Sequence, residues 1–168
     1  GICLLSEAQG DFTIPSTNKP VLMVAGGSGI TPFRSMLNQM AATGDSRPVH
    51  LLFYVRDEAN ALFREEFEAI AAQHSNIKVT YMNGAEVGPF SSEHLKTHCP
   101  EFMEHKIMIC GPTPMIQLVR DVVSSEGVAN DDIMFEYFGA APIELDRSNV
   151  KDSYVSFERG GVSAFSNA

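Results

Sequence analysis

The sequence predicts an α/β fold, with five parallel strands in one sheet and helices on both faces. Three observations carry this. Five short apolar runs alternate with amphipathic helical patterns along the 168 residues, the order that builds parallel sheets. Two of the runs, residues 49–55 and 106–110, are nearly unbroken in apolar residues, as strands covered on both faces are. Two strand-to-helix junctions, at residues 25–32 and 110–114, carry glycine and proline where an ordinary loop would be polar.

The elements follow in order. Residues 1–19, containing Gly10-Asp11-Phe12-Thr13-Ile14-Pro15, read as a last strand and linker entering the domain. The domain itself spans 20–138. Its strands are expected at 20–25, 49–55, 77–81, 106–110 and 132–137. Phe33, Met36, Leu37 and Met40 recur at i, i+3, i+4 and i+7, predicting a first helix that Gly44 stops. Phe63, Phe67, Ile70 and Ala71 predict a second over 60–74. Met115, Leu118, Val119, Val122 and Val123 predict another over 113–126, stopped by Gly127. Residues 139–152 read as a linker. Residues 153–168 read as strand, Gly160-Gly161 turn and strand. A lone hairpin is barely stable in water, so this one belongs to a further domain or docks on this one.

Composition excludes several classes. The formal net charge is −9 and no Lys/Arg cluster occurs, which argues against nucleic acid or an anionic membrane surface as partner. No apolar run approaches the roughly 20 residues of a membrane span. Cys3, Cys99 and Cys110 are an odd, widely spaced set, so a disulfide framework is not expected and a reducing cytoplasm is the simplest location. The chain starts at Gly1 without an initiator Met, which reads as a processed chain or a central fragment of a larger protein.

The stretch Gly26-Gly27-Ser28-Gly29-Ile30-Thr31-Pro32 follows an apolar strand and opens an amphipathic helix, the setting a phosphate loop requires. Gly27 and Gly29 would let the backbone turn and approach a pyrophosphate. Free N–H groups and the positive end of the helix dipole favour that anion. Pro32 suits a first helical turn, and Thr31 near the N-cap can offer its hydroxyl to a phosphate or to the helix. On spacing alone the loop is either such a cradle or a tight turn that binds nothing. On the first reading, Gly29→Val weakens nucleotide binding and leaves the fold intact. The second junction, Cys110-Gly111-Pro112 with Met115 behind it, repeats the design. If the two strands are neighbours, both loops face one crevice, and Cys110 ends its strand pointing into it. No Lys, Arg or His lies within three residues of Cys110, so it is not read as a nucleophile.

With both loops in place the chain resembles the nicotinamide-nucleotide domain of the ferredoxin–NADP reductase superfamily. The residues that carry the resemblance are 26–32, Cys110-Gly111-Pro112 with Met115, and Phe135-Glu136-Tyr137-Phe138. Ser28 stands where the family more often has Thr. The resemblance implies strand order 3-2-1-4-5 and a preceding antiparallel barrel that holds FAD. Gly10-Asp11-Phe12 resembles the tail of that barrel, whose Arg-x-Tyr-Ser motif does not occur here. Residues 153–168 resemble the first hairpin of a plant-type 2Fe-2S ferredoxin domain, whose C-x4-C-x2-C run does not occur either.

The resemblance implies that the glycine loop holds the pyrophosphate and that Thr31 lies beside the nicotinamide. It places Cys110 and Gly111 at the nicotinamide ring and Glu136 and Phe138 near the flavin. Electrons then pass as a hydride from NADH or NADPH to FAD, and singly to an iron–sulfur centre. The downstream partner is an oxygenase, a desaturase or a hybrid-cluster protein. A flavohaemoglobin-type reductase domain and a nucleotide-binding sensor without a redox role are the alternatives.

Two further groups are candidate sites. After the second strand, Arg56 and Arg64 offer charge for a 2′-phosphate, but Asp57 and Glu58 adjoin Arg56 and Arg64 stands four residues before Glu68. A solvated acidic helix face is the better reading of Arg64, and NADH is favoured slightly over NADPH. His94, His98 and Cys99 have no fourth ligand at a recognisable spacing, and no metal site is expected there.

Overall fold

A computed structural model describes residues 10–57, 59 and 61–138. The resemblances read into residues 1–9 and 139–168 lie outside the described residues. Five strands form one sheet: β1 (Val21–Gly26), β2 (Val49–Val55), β3 (Ile77–Asn83), β4 (Lys106–Gly111) and β5 (Ile133–Tyr137). Their order is β3-β2-β1-β4-β5 and every pairing is parallel. The helices are α1 (Ile30–Thr43), α2 (Arg64–Gln73), α3 (Gly84–Val87), α4 (Ser92–His98) and α5 (Thr113–Ser125).

The continuous apolar runs have the predicted cause: β2 is buried over its first five residues and β4 over its last five, and β1 between them is buried throughout, its side chains alternating between two cores. Val21, Met23 and Ala25 pack with Phe33 and Leu37 of α1 and with Phe67 of α2. Leu22 and Val24 pack with Leu95 of α4 and with Ile116, Val119 and Val123 of α5. A strand with both faces covered needs apolar residues at consecutive positions, so it loses the period-two signal of a half-exposed strand.

Several boundaries differ from the sequence reading. β1 and β4 each run on through their terminal glycine, and β3 through Asn83. The second helix starts at Arg64, not at residue 60. Phe63 sits at its threshold with φ 60°, a left-handed conformation costly for a bulky side chain. Its ring is held by an edge contact to Phe67 (6.3 Å between centroids) and by the Arg34 guanidinium stacked over it at 4.5 Å. That packing gives Phe63 the spacing of a helical residue although it precedes the helix.

Candidate functional site

β1 and β4 are neighbours, with Ala25 in register with Cys110, and each ends in glycine. From β1 the chain proceeds outward through β2 and β3, then crosses back to β4. Such a reversal point, at the carboxyl ends of the strands, is where open α/β sheets bind ligands.

Gly27–Gly29 form a single 3-10 turn between β1 and α1. Gly27 has φ +54°, and a Cβ built on it meets nothing within 4 Å. The left-handed backbone therefore faces open space. The Ile30 N–H that opens α1 bonds back into the turn, to Gly27 O, while the N–H groups of the turn itself have no partner within the helix, so the loop offers donors and a positive dipole end to an anion. A pyrophosphate fits this cradle.

Thr31 and Pro32 are the second and third residues of α1, not the cap. Pro32 lacks the N–H that would have bonded the Ser28 carbonyl. The Thr31 hydroxyl takes its place, donating to Ser28 O at 3.0 Å. The proline is thus accommodated by its neighbour.

Gly29 has a packing task beside the one expected. A Cβ there would overlap the Cys110 carbonyl group and stand 2.5 Å from Gly111 N. Its missing side chain lets the first loop touch the end of β4 backbone to backbone. Gly29→Val would therefore force this contact apart, which sets a stability cost against the expectation of an intact fold. Gly26 and Gly111 are also packed together. A Cβ on Gly111 would lie 3.2 Å from both Gly26 N and Met115 Sδ, and one on Gly26 would overlap that same sulfur. Met115 of α5 thus closes over both strand ends, with Pro112 against Gly26. The structure brings the backbone of residues 26–32 and of Cys110–Pro112 together, beside the Met115 side chain.

The Cys110 thiol does not open into that crevice. It is wholly buried in the core on the α1 and α2 side. Burial first, and then the nearby charge of Glu136, push the thiol up to about 11, which leaves it a neutral thiol. Glu136 is its register partner on β5 and is exposed, as is Phe138 at 51%. Glu136 lines a cavity of about 440 Å³ with Gly10, Asp11, Phe12, Met134 and Phe135. Arg56 lies exposed beyond β2. Arg64 pairs with Glu68 at 2.7 Å and stacks over Tyr81 at 4.8 Å. A second 440 Å³ cavity there is lined by Ala59, Ala61, Phe63, Arg64, Glu65 and Glu66.

Two aromatic residues stand beside the strand-end glycines, of which the sequence reading named only Tyr137, as part of the 135–138 run. Tyr54 stands in register with Gly26, and Tyr137 with Gly111. Both lie at or next to the ends of their strands on the α5 face, and the strand register reveals it. The Tyr54 hydroxyl is hydrogen-bonded to His94 Nδ1 at 2.9 Å, and burial raises its pKa. A larger cavity, about 570 Å³, lies away from the glycine loop between α5 and β5, around Gln117, Arg120, Asp121 and Asn130. The crevice is chosen over it because two strand ends and their bare glycines converge there. Among the described residues no group of three or more His, Cys, Asp or Glu is arranged to hold a metal ion.

The sheet order and the paired glycine junctions define a dinucleotide-binding α/β domain. The chain belongs to the oxidoreductase NAD-binding domain family, whose model matches residues 23–121. It is 28% identical over 145 residues to the toluate 1,2-dioxygenase electron transfer component of Pseudomonas putida, covering 82% of this chain and 42% of that protein. It is 31% identical over 147 residues to a flavohaemoprotein of a Burkholderia species, covering 82% and 37%. The chain thus spans about two fifths of the curated relatives it matches. In fold it is similar to the flavohaemoglobin of Malassezia yamatoensis (TM-score 0.68, 24% identity, 77% of this chain and 35% of that one). It is also similar to the ferredoxin–NADP+ reductase of Plasmodium falciparum (TM-score 0.65, 20% identity, 77% and 57%). No helix among the described residues is long and apolar enough to cross a membrane.

Proposed function

We propose that the chain is the nicotinamide-dinucleotide module of an electron-transfer reductase that passes hydride from NADH or NADPH to FAD, and then single electrons to a 2Fe-2S centre. The observation that carries this is the crevice itself, where the open left-handed Gly27 and the bare Gly111 flank one reversal point. The pyrophosphate would lie on the N–H groups of the 27–29 turn. Thr31, Gly111 and the backbone of Cys110 would border the nicotinamide. Met115 and Pro112 shape the wall opposite α1. The nicotinamide supplies the hydride; the chain's residues bind it, orient it and keep its surroundings free of competing nucleophiles, the Cys110 thiol being buried and neutral.

The flavin would be held outside the described residues, which offer it only the edge carrying Glu136 and Phe138. Similarity to a dioxygenase electron transfer component supports an iron–sulfur centre, and the pattern of residues 153–168 agrees with it. The electron acceptor would then be an oxygenase, a desaturase or a hybrid-cluster protein. NADH is the preferred donor in this reading, because Arg64 is tied to Glu68 and Asp57 follows Arg56. A cytoplasmic location is proposed on the widely spaced cysteines. The test is anaerobic titration of the flavin-bearing parent with NADH, following the oxidised-flavin absorbance. Bleaching supports the reading; no bleaching with either nicotinamide nucleotide overturns it.

A further inference from the structure

Residues 10–19 have no regular secondary structure, yet they are fastened along their length. Phe12 packs edge-on against Phe33 of α1, with centroids 5.8 Å apart, and Ile14 lies against the same core. Pro15 is buried. Arg47, from the loop between α1 and β2, donates from Nη1 to both Pro15 O and Thr17 O, each at 2.7 Å. Its own orientation is set by Asp45, whose two carboxylate oxygens each accept from Arg47 Nε at 3.0 Å. Asn76 Nδ2 in turn donates to Asp45 O at 3.0 Å and to Arg47 O at 2.9 Å. Lys19 closes the run on Asp132 at 2.7 Å.

Gly10 has φ +118°, and a Cβ there meets nothing within 4 Å. The same stretch reaches the functional end of the sheet, since Gly10, Asp11 and Phe12 share a cavity with Glu136.

We propose that residues 11–19 form a rigid strap belonging to the nucleotide domain. Arg47 is the positioning residue that fixes the path of this strap along the domain. This rests on the reductase reading above, in which a flavin-bearing unit precedes the strap. A guanidinium suits the task because one planar group spans two carbonyls while a carboxylate locks its plane. Hydride donor and acceptor must meet at about 3–3.5 Å, and a misplacement of about 1 Å can cost on the order of a hundredfold in rate.

The test has two arms. In the chain, hydrogen exchange is followed at the Thr13 amide, which donates to Asp11 O, and at the Lys19 amide, which donates to Thr17 Oγ1. Arg47→Met is expected to accelerate both by about tenfold or more while the Val24 and Ile109 amides of the sheet keep their protection. Arg47→Lys, which keeps the charge but not the planar fork that spans both carbonyls, falls between. In the flavin-bearing parent, Arg47→Met is expected to slow flavin bleaching by about tenfold with the Kd for NADH unchanged. Unchanged exchange at Thr13 and Lys19 overturns the strap. Faster exchange with an unchanged bleaching rate overturns the positioning role. If Arg47→Met loosens the sheet as well, Asp45→Asn carries the same test, and a sheet-wide effect there too overturns the proposal. Failure of the wild-type parent to bleach instead overturns the reductase reading and the positioning role with it, while the exchange arm still decides the strap.

Discussion

Gly29→Ala separates the two glycine roles in the first loop. The added Cβ would overlap the Cys110 carbonyl and stand 2.5 Å from Gly111 N. Ordinary contact needs about 3.4 Å or more, so the loop and the end of β4 must part by about 1 Å. The obstacle is backbone on both sides, with no flexible side chain to swing away. Overpacking a close interior contact costs about 1–3 kcal/mol, and a backbone clash belongs at the upper end. At about 2–4 °C per kcal/mol for a domain of this size, Gly29→Ala should lower Tm by about 6–12 °C. Thermal unfolding by circular dichroism reads this directly. Gly27→Ala is the control, because its Cβ enters open space and only the left-handed backbone strain of about 1 kcal/mol remains. A Gly29→Ala chain as stable as wild type, or no more impaired than Gly27→Ala, would refute the packing argument.

Three further outcomes follow from the same geometry. Gly27→Ala should weaken NADH binding by about tenfold, measured by calorimetry, because its methyl group occupies the space assigned to the pyrophosphate; equal affinity would count against the cradle. His50 is pressed down to about 4, mainly by burial and also by the nearby charges of Lys78, His98 and His105. Its folded pKa lies below its unfolded one, so the stability it contributes is complete above about 6.5 and is lost as pH falls toward 4. His50→Gln, which keeps a partner for Thr80 Oγ1 (2.8 Å from His50 Nε2) but does not titrate, should flatten urea-measured stability over that window; an unchanged slope contradicts the assignment. Cys99 and Cys110 are buried, with thiols pushed up to about 11 by burial, so iodoacetamide at neutral pH should label them only in denaturant, as peptide mapping by mass spectrometry would show.

Much of the fold was legible because buried parallel strands and amphipathic helices write different patterns. β2 and β4 are apolar at successive positions, and α5 repeats its apolar face over three turns. The strand order came from the resemblance, since periodicity carries no information about which strands are neighbours. Illegible features depended on contacts between distant segments. Gly29 looked like a ligand-facing glycine, but its constraint is the backbone of β4, more than eighty residues away. Cys110 was expected to face the crevice, whereas the pleat turns it into the α1 side core beside Phe33. Tyr54 and Tyr137 are ordinary strand aromatics until the register sets them beside Gly26 and Gly111. Phe63 imitates a helical residue through packing alone. The strap at 11–19 has no periodicity, and its fasteners Arg47, Asp45 and Asn76 come from two loops that the sequence keeps apart.

The central claim is that the two glycine junctions form one nicotinamide-dinucleotide site. Titrating the 15N-labelled chain with NADH and following backbone amide shifts addresses it most directly. The account predicts that the largest shifts fall together at Gly27, Ser28, Thr31 and Gly111. Shifts confined to Arg120, Asn130 and Phe135 around the α5–β5 cavity, or none at the two junctions at saturating NADH, would contradict it.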